Sequence, residues 1–274
     1  MNRSPEQRYV LFGNPVGQSL SPLMHNAVFK REGLNARYHA MEIEDAGKII
    51  DTMRSAGISG ASITIPHKIA VMPYLNALSE SAAAVGAVNT ITRSGDGFSG
   101  DNTDWLGIVR SLKESMGVLQ GKTFAVLGAG GTARAAVFGI KREGGLPVII
   151  NRTHRRAEML AGEFNCGALP FTELSTFHAD VFINTTPVGM FPHYDESPLP
   201  ADWVKNFETI MDVIYNPVET RLLRHARRAG RRTVSGLSVF IYQGAEQLRL
   251  WTGIQPPVAF MRTIIGDAFN HEKD

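Results

Sequence analysis

Apolar and polar positions alternate in cycles along this chain, and each cycle closes on a turn signal. Residues 9–12, YVLF, form a short apolar run ended by Gly13, and the following SPLMHNAVFKREG places Met24, Ala27 and Val28 on one helical face before Gly33. The spacing predicts strand, loop and helix. The cycle repeats with YHAMEIE as a strand, a helix carrying Ile49, Ile50 and Met53, and a strand holding Ile63 and Ile65. A helix is expected through residues 70–84, leading into the strand-like AVNTIT. Strands alternating with helices predict a mainly parallel sheet.

Near RSGDGFSGDNTD the texture changes to glycine and aspartate, and a helix follows with Trp105, Val109, Leu112 and Met116 as its stripe. A domain junction is expected there. A second alternating series begins at TFAVLGAGG and continues through PVIIN, DVFIN and TIMDVIYN. Leu237, Ile241, Ala245 and Leu248 then space a further helix, and PPVAFMRTIIGDAF carries the last. These closing helices are assigned to the first domain. The expected division is therefore residues 1–105 plus 238–274 as one α/β domain and residues 106–237 as the other.

Length agrees with that division, because 274 residues suit two domains sharing a cleft. With 43% apolar and 20% charged residues, and no low-complexity tract or solenoid repeat, the composition is that of a folded globular protein. A net charge of +2 gives no global field for a polyanion, so neither nucleic acid nor a membrane surface is expected as a partner. The single Cys166 suits a reducing compartment. The N-terminal MNRSPEQRYVLFGNP lacks a secretory apolar core, and no stretch approaches the ~20 apolar residues of a membrane helix, so the cytoplasm is expected.

FAVLGAGGTARAAVFGI is a strand running into Gly128, Gly130, Gly131 and Ala133, then a helix burying Ala136, Val137 and Ile140. Gly128 permits the tight turn, Gly130 lets the backbone approach a pyrophosphate, and Ala133 keeps helix and strand close, while the helix N-terminus offers N–H groups to phosphate oxygens. Strand, turn, helix and next strand arrive in order, which predicts a Rossmann-type, doubly wound dinucleotide-binding domain. An NAD enzyme usually shows an acid at the end of the next strand, on the ribose 2′-hydroxyl. This chain shows NRTHRRAE. Asn151, Arg152, Thr153 and Arg156, more than Arg155, offer hydrogen bonds and positive charge to a 2′-phosphate, so NADP(H) is favoured.

SITIPHK, residues 62–68, puts Lys68 just past a strand's carboxyl end, the edge where open α/β sheets gather ligands. GNPVGQSLSP, GAVNT and GDNTD bring Ser19, Ser21, Asn89 and Asp104 to edges of the same kind. Hydroxyls, an amide, a cation and a carboxylate suit a small polyol. Each also has a purely structural use: Ser21 before Pro22 as a helix cap, Asn89 closing a turn, Asp104 capping the helix at Trp105.

At these residues the chain resembles the shikimate dehydrogenase family. The likeness rests on GNPVGQSLSP, ITIPHK, GAVNT, GDNTD, GAGGTARA, NRT, NTTPVGM, DVIYNP and YQGAEQLRLWTG, in order and spanning nearly the whole chain. It implies NADPH-dependent reduction of 3-dehydroshikimate to shikimate, on the route to chorismate and the aromatic amino acids. It further implies that Ser19 and Ser21 hold the substrate carboxylate, that Thr64, Asn89, Asp104 and Gln243 bind hydroxyls, and that Tyr215 lines the pocket. Lys68 would be the acid/base and Asp104 its partner. On the cofactor side it points to Gly128, Ala129, Gly130, Gly131 and Thr132, to Asn151, Arg152, Thr153 and Arg156, to Val213 and Gly236 beside the nicotinamide, and to Glu80.

Two positions depart from the family pattern: Trp105 and Ser238 stand where glycine is usual. Relatives that accept quinate often carry threonine at the place of Ser21, and NAD users an acid near the ribose; neither occurs here. A ligand-binding regulator without turnover would have lost the lysine or the aspartate, and both are present. Beneath the arginines of RLLRHARRAGRR, Leu222, Leu223 and Ala226 form an amphipathic buried side, so the charges are read as a solvated face. His25, His39, His67 and His154 lack metal-ligand spacing, and no metal is proposed. The partners expected are the small-molecule substrate and, as an arrangement left open, a second copy in a homodimer.

Overall fold

The computed structural model describes residues 5–271, which fall into two compact units, Met1–Thr103 with Gln243–Asp274 and Asp104–Tyr242. These boundaries lie a few residues from the division expected at 105/106 and 237/238. We call them unit 1 and unit 2.

Unit 1 is built on strands β1 (Gln7–Gly13), β2 (Ala36–Glu42), β3 (Gly60–Ile63), β4 (Ala77–Leu78), β5 (Thr90–Ser94) and β6 (Gly97–Asp101). They form one sheet in the order β2-β1-β3-β5-β6-β4, in which only β5 runs against its neighbours. Helices α1 (Ser21–Arg31), α2 (Gly47–Ser55) and α3 (Glu80–Val85) accompany it. Ile49, Ile50 and Met53 of α2 close over Val10, Phe12, Ala61 and Ile63 of the sheet, the apolar stripe that the periodicity had marked.

Three expectations need correction here. The strand through Ile63 and Ile65 ends at Ile63; Ile65 precedes Pro66, stands in a turn and is half exposed. The helix expected over 70–84 breaks into a 3-10 turn at Met72–Tyr74, the two-residue β4, and α3. Pro73 supplies no N–H for a continuing helix, and Ser79 starts a new one by accepting the N–H of Ala82 at 3.1 Å. The glycine-rich GDGFSGD is not only a junction: it carries β6, joined to β5 by a two-residue turn whose first position, Gly95, has φ +60°.

Unit 2 holds helices α4 (Asp104–Met116), α5 (Gly131–Arg142), α6 (His154–Phe164) and α7 (Arg221–Arg228) around strands β7 (Thr123–Leu127), β8 (Leu146–Asn151), β9 (Gly167–Pro170), β10 (Ala179–Asn184), β11 (Phe207–Asp212) and β12 (Arg232–Ser235). The sheet order is β12-β11-β10-β7-β8-β9, every pair parallel. This is the doubly wound arrangement, and the strand order reverses beside β7, where such sheets open a crevice for ligands. Leu222, Leu223 and Ala226 of α7 join the core with Phe182, Phe207 and Ile210, leaving the arginines on the outer side. Two short edge strands, β9 and β12, carry no alternation strong enough to announce them in sequence.

Helix α8 (Gly236–Thr252) contains the second unit boundary, and α9 (Val258–His271) belongs to unit 1, where Arg31 of α1 lies 4.6 Å above the Phe260 ring. No helix among the described residues is long and apolar enough to cross a membrane.

Candidate active site

In unit 1 the reversal of β5 explains why separate segments meet at one edge. A strand running against its neighbours begins where they finish, so the residues entering β5 stand beside those leaving β3 and β6: Ser62 pairs with Thr90, and Thr90 with Asp101. The loop after β3 is tied down on both flanks. Thr64 N–H donates to Phe12 O and Asn14 N–H to Ile65 O, each at 2.9 Å, and Val88 N–H donates to Lys68 O at 2.7 Å. A Cβ at Gly13 would overlap Cγ2 of Thr64, so only glycine lets β1 pass this loop. His67 is buried and its Nε2 lies 2.7 Å from Ile43 O; a carbonyl only accepts, so Nε2 carries the proton. Lys68, half-buried, is thus mounted on backbone fixed at several points.

Asn89 is buried just before β5. Its Oδ1 accepts from Thr103 N–H at 2.7 Å and from the Thr90 hydroxyl at 2.8 Å, while Nδ2 donates to Thr103 Oγ1 at 2.9 Å and lies 3.4 Å from Gln243 Oε1. Asn89 and Gln243, two of the expected substrate ligands, are therefore neighbours. Ser21 is the first residue of α1 rather than its cap; the cap position falls on Leu20, which makes no side-chain cap bond. The capping use of Ser21 is thus set aside. The Ser19 hydroxyl donates to Ser21 Oγ at 3.1 Å and Ser21 N–H donates to Ser19 Oγ at 3.2 Å, a compact pair of hydroxyls at a helix N-terminus. Asp104 is the first residue of α4 and buried, at the start of unit 2.

Trp105, a departure from the family pattern, turns onto α5: its ring meets Phe138 edge-on at 5.4 Å and lies 5.3 Å below the Arg142 guanidinium. Ser238 is half-buried in the first turn of α8. Glu80, the one cofactor candidate in unit 1, is an exposed acid in the first turn of α3, where the helix N-terminus favours it.

In unit 2, Gly128 leaves β7 at φ +126°, and a Cβ there would overlap Oγ1 of Thr185. Gly130 caps α5 with no side chain and open space around it, while Ala133 is buried against the sheet. Ala129, Gly131 and Thr132 line the same partly open turn. The result is a helix N-terminus with uncapped N–H groups beside the crevice, a cradle that fits phosphate oxygens. Gly128 N–H donates to Ile150 O at 2.8 Å, which ties the turn to the end of β8. There Asn151 Nδ2 donates to Thr153 O at 3.0 Å, and Arg152, Thr153, Arg155 and Arg156 are exposed. The nearest acid along α6, Glu158, faces His154 at 3.4 Å, so the cationic end of β8 fits a phosphorylated ribose.

Val213 and Gly236 are in contact: a Cβ on Gly236 would overlap the carbonyl oxygens of Val213 and Ile214. Tyr215 stacks on Phe240, ring centres 4.3 Å apart. Sequence reading missed what holds these loops. Buried Asp212 accepts from Asn184 Nδ2 at 3.0 Å, from the Thr220 hydroxyl at 2.7 Å and from Ile214 N–H at 3.2 Å. The signal was available, since PVIIN, DVFIN and TIMD all end an apolar strand on a polar residue.

A doubly wound sheet with an uncapped glycine turn at its crevice, paired with a second α/β unit that gathers a lysine, hydroxyls and amides at one edge, defines a nucleotide-dependent oxidoreductase. Residues 11–91 match the substrate-binding domain of shikimate dehydrogenase, and residues 236–265 match the shikimate 5′-dehydrogenase C-terminal domain. The chain is 42% identical over 271 residues to the shikimate dehydrogenase (NADP(+)) of Moorella thermoacetica, covering 94% of this chain and 92% of that one. A crystal structure of shikimate dehydrogenase in complex with NADP+ superposes with a TM-score of 0.90 at 37% identity, covering 96% of both chains. That of the Thermus thermophilus enzyme in complex with NADP(H) and shikimate gives 0.86 at 35% identity, over 96% of this chain and 99% of that one. The chain belongs to the shikimate dehydrogenase family.

Proposed function

We infer that the protein catalyses the reversible, NADPH-dependent reduction of 3-dehydroshikimate to shikimate, a step toward chorismate and the aromatic amino acids. The observation that carries this reading is the pinned Thr64–Lys68 loop beside the Asn89–Gln243 pair, in a chain of this family. Unit 1 is the substrate half and unit 2 the nucleotide half. The reduced nicotinamide, when bound, supplies the hydride to the ketone carbon.

Reduction leaves negative charge on the former ketone oxygen, and the Lys68 ammonium donates the proton there, with Asp104 orienting it. Ser19 and Ser21 take the carboxylate with their paired hydroxyls. Thr64, Asn89, Asp104 and Gln243 bind the ring hydroxyls, and Tyr215 lines the pocket. On the nucleotide side, residues 128–132 cradle the pyrophosphate and Asn151, Arg152, Thr153 and Arg156 take the 2′-phosphate. Val213 and Gly236 are assigned to the nicotinamide, and Glu80 to an acidic position near the cofactor. We place the enzyme in the cytoplasm, where its one thiol stays reduced.

Absorbance at the reduced-nicotinamide band, with shikimate or quinate each against NADP and NAD, tests the assignment. Turnover with shikimate and NADP is the expected result. Turnover with quinate and NAD alone would assign a different dehydrogenase, and none on any pairing would make the protein a ligand-binding regulator.

A further inference from the structure

Behind Asn89 runs a buried chain of polar side chains drawn from four parts of unit 1: Tyr38 on β2, Ser62 on β3, Gln247 on α8 and Thr90 on β5. Two backbone groups fix its sense. Thr103 N–H needs an acceptor, so the Asn89 atom 2.7 Å away is Oδ1 and the other is Nδ2. Asn89 O can only accept, so the Gln247 atom 3.1 Å from it is Nε2, and Oε1 faces Ser62.

The hydroxyls then follow in order, each having one proton. Ser62 must donate to Gln247 Oε1 at 2.9 Å, so its oxygen accepts from the Tyr38 hydroxyl at 2.7 Å. Gln247 Nε2 also donates to Thr90 Oγ1 at 3.1 Å, which leaves the Thr90 proton for Asn89 Oδ1 at 2.8 Å. Oδ1 of Asn89 is thus supplied from behind by both Thr90 and Thr103. Nδ2 donates to Thr103 Oγ1 at 2.9 Å and also faces Gln243 Oε1, at 3.4 Å.

We propose that Gln247 is a positioning residue for the reaction: by donating from Nε2 to Thr90 Oγ1 it turns the Thr90 proton onto Oδ1 of Asn89, the second donor that, with Thr103 N–H, steadies Asn89 to meet a substrate hydroxyl through Nδ2. The proposal rests on the substrate reading above, in which Asn89 takes a ring hydroxyl. Gln247 itself is 1% exposed and separated from Asn89 by 158 residues of sequence, so it acts through its neighbours.

The test is steady-state kinetics of the whole protein with shikimate and NADP. Gln247→Glu places an acceptor where Nε2 stands and the Thr90 proton turns toward it, so Oδ1 of Asn89 keeps the Thr103 N–H but loses its second donor. The expected result is a rise in the KM for shikimate of about tenfold, the factor corresponding to 1.4 kcal/mol, with kcat within about twofold and the KM for NADP unchanged. Thr90→Val, which keeps the shape and removes the hydroxyl, gives the same split, and Thr90→Ser restores the wild-type KM. Should Gln247→Glu fail to fold, the Thr90 pair decides alone. An unaltered shikimate KM in Thr90→Val, or an equal loss in Thr90→Ser, overturns the positioning role. Absence of shikimate oxidation by the unaltered protein overturns the substrate reading first, and the proposal with it.

Discussion

The Thr220 hydroxyl donates to Oδ2 of Asp212 at 2.7 Å in the interior of unit 2. Burial pushes the Asp212 carboxyl up to about 7, against the opposing pull of its bonds from Thr220, Ile214 and Asn184. The unfolded chain releases this proton near the ordinary value of about 3.9. Between about pH 4 and 7 this group therefore holds more proton in the native protein than in the unfolded chain, and its contribution to stability falls as pH rises through that window. The steepest slope from this group is about 1.4 kcal/mol per pH unit. Asp212→Asn keeps the geometry and removes the titration. Across this range the urea midpoint of Asp212→Asn, less that of the unaltered protein, is expected to rise with pH; a constant difference would contradict the assignment.

His25 works in the opposite direction. Its ring is fully buried, stacked on Tyr38 at 4.5 Å, and neither nitrogen has a hydrogen-bond partner among the described residues. Burial pulls its pKa from 6.5 down to about 3. The unfolded chain takes up this proton first, so the contribution is whole above about pH 6.5 and is lost as pH falls toward 3. His25→Phe fills the same space without polar nitrogens. Thermal melts at pH 5 are expected to rise by several degrees in the variant, consistent with relief of about 1–3 kcal/mol for unsatisfied polar atoms; a lower melting temperature there would count against it.

Lys68→Ala tests the proton donor. Turnover is expected to fall by about 10²–10⁴-fold, the range of a positioned acid or base, while the KM for shikimate moves by less than about tenfold. An unchanged kcat would remove Lys68 from the chemistry.

Arg152→Ala with Arg156→Ala tests the 2′-phosphate contact. Loss of two charge-assisted bonds is expected to raise the KM for NADP by about 10- to 100-fold and leave the KM for NAD near its starting value. Equal effects on both nucleotides would place these arginines elsewhere on the surface.

The nucleotide half was open to reading because its strands are apolar runs that end on turn residues, so periodicity and chemistry change at the same positions. In unit 1 the same reading broke where a single residue outweighed the pattern, as Pro73 did in the helix expected over 70–84. It failed for β6 because Gly97, Ser99 and Gly100 carry none of the β-branched bulk that marks a strand; only the partner β5 reveals it. Asn89 stood out at a strand edge in GAVNT, whereas Gln243 came from the family likeness. The chain of hydroxyls and amides behind them came from neither, since Gln247 meets Ser62, Asn89 and Thr90 across 157 to 185 positions and no local pattern encodes such a meeting.

Unit 1 is assembled from both ends of the chain. Trp251 on α8 stacks on Tyr9 and donates its indole proton to Ile91 O at 3.0 Å, over a strand where Gly60 leaves room for the ring. Synthesis from the N-terminus delivers the whole of unit 2 before that tryptophan exists. The emerging polypeptide must therefore carry a first sheet whose six strands are all present but which lacks Gln243 and Gln247 beside Asn89 and has its aromatic cluster open, until the last helices leave the ribosome.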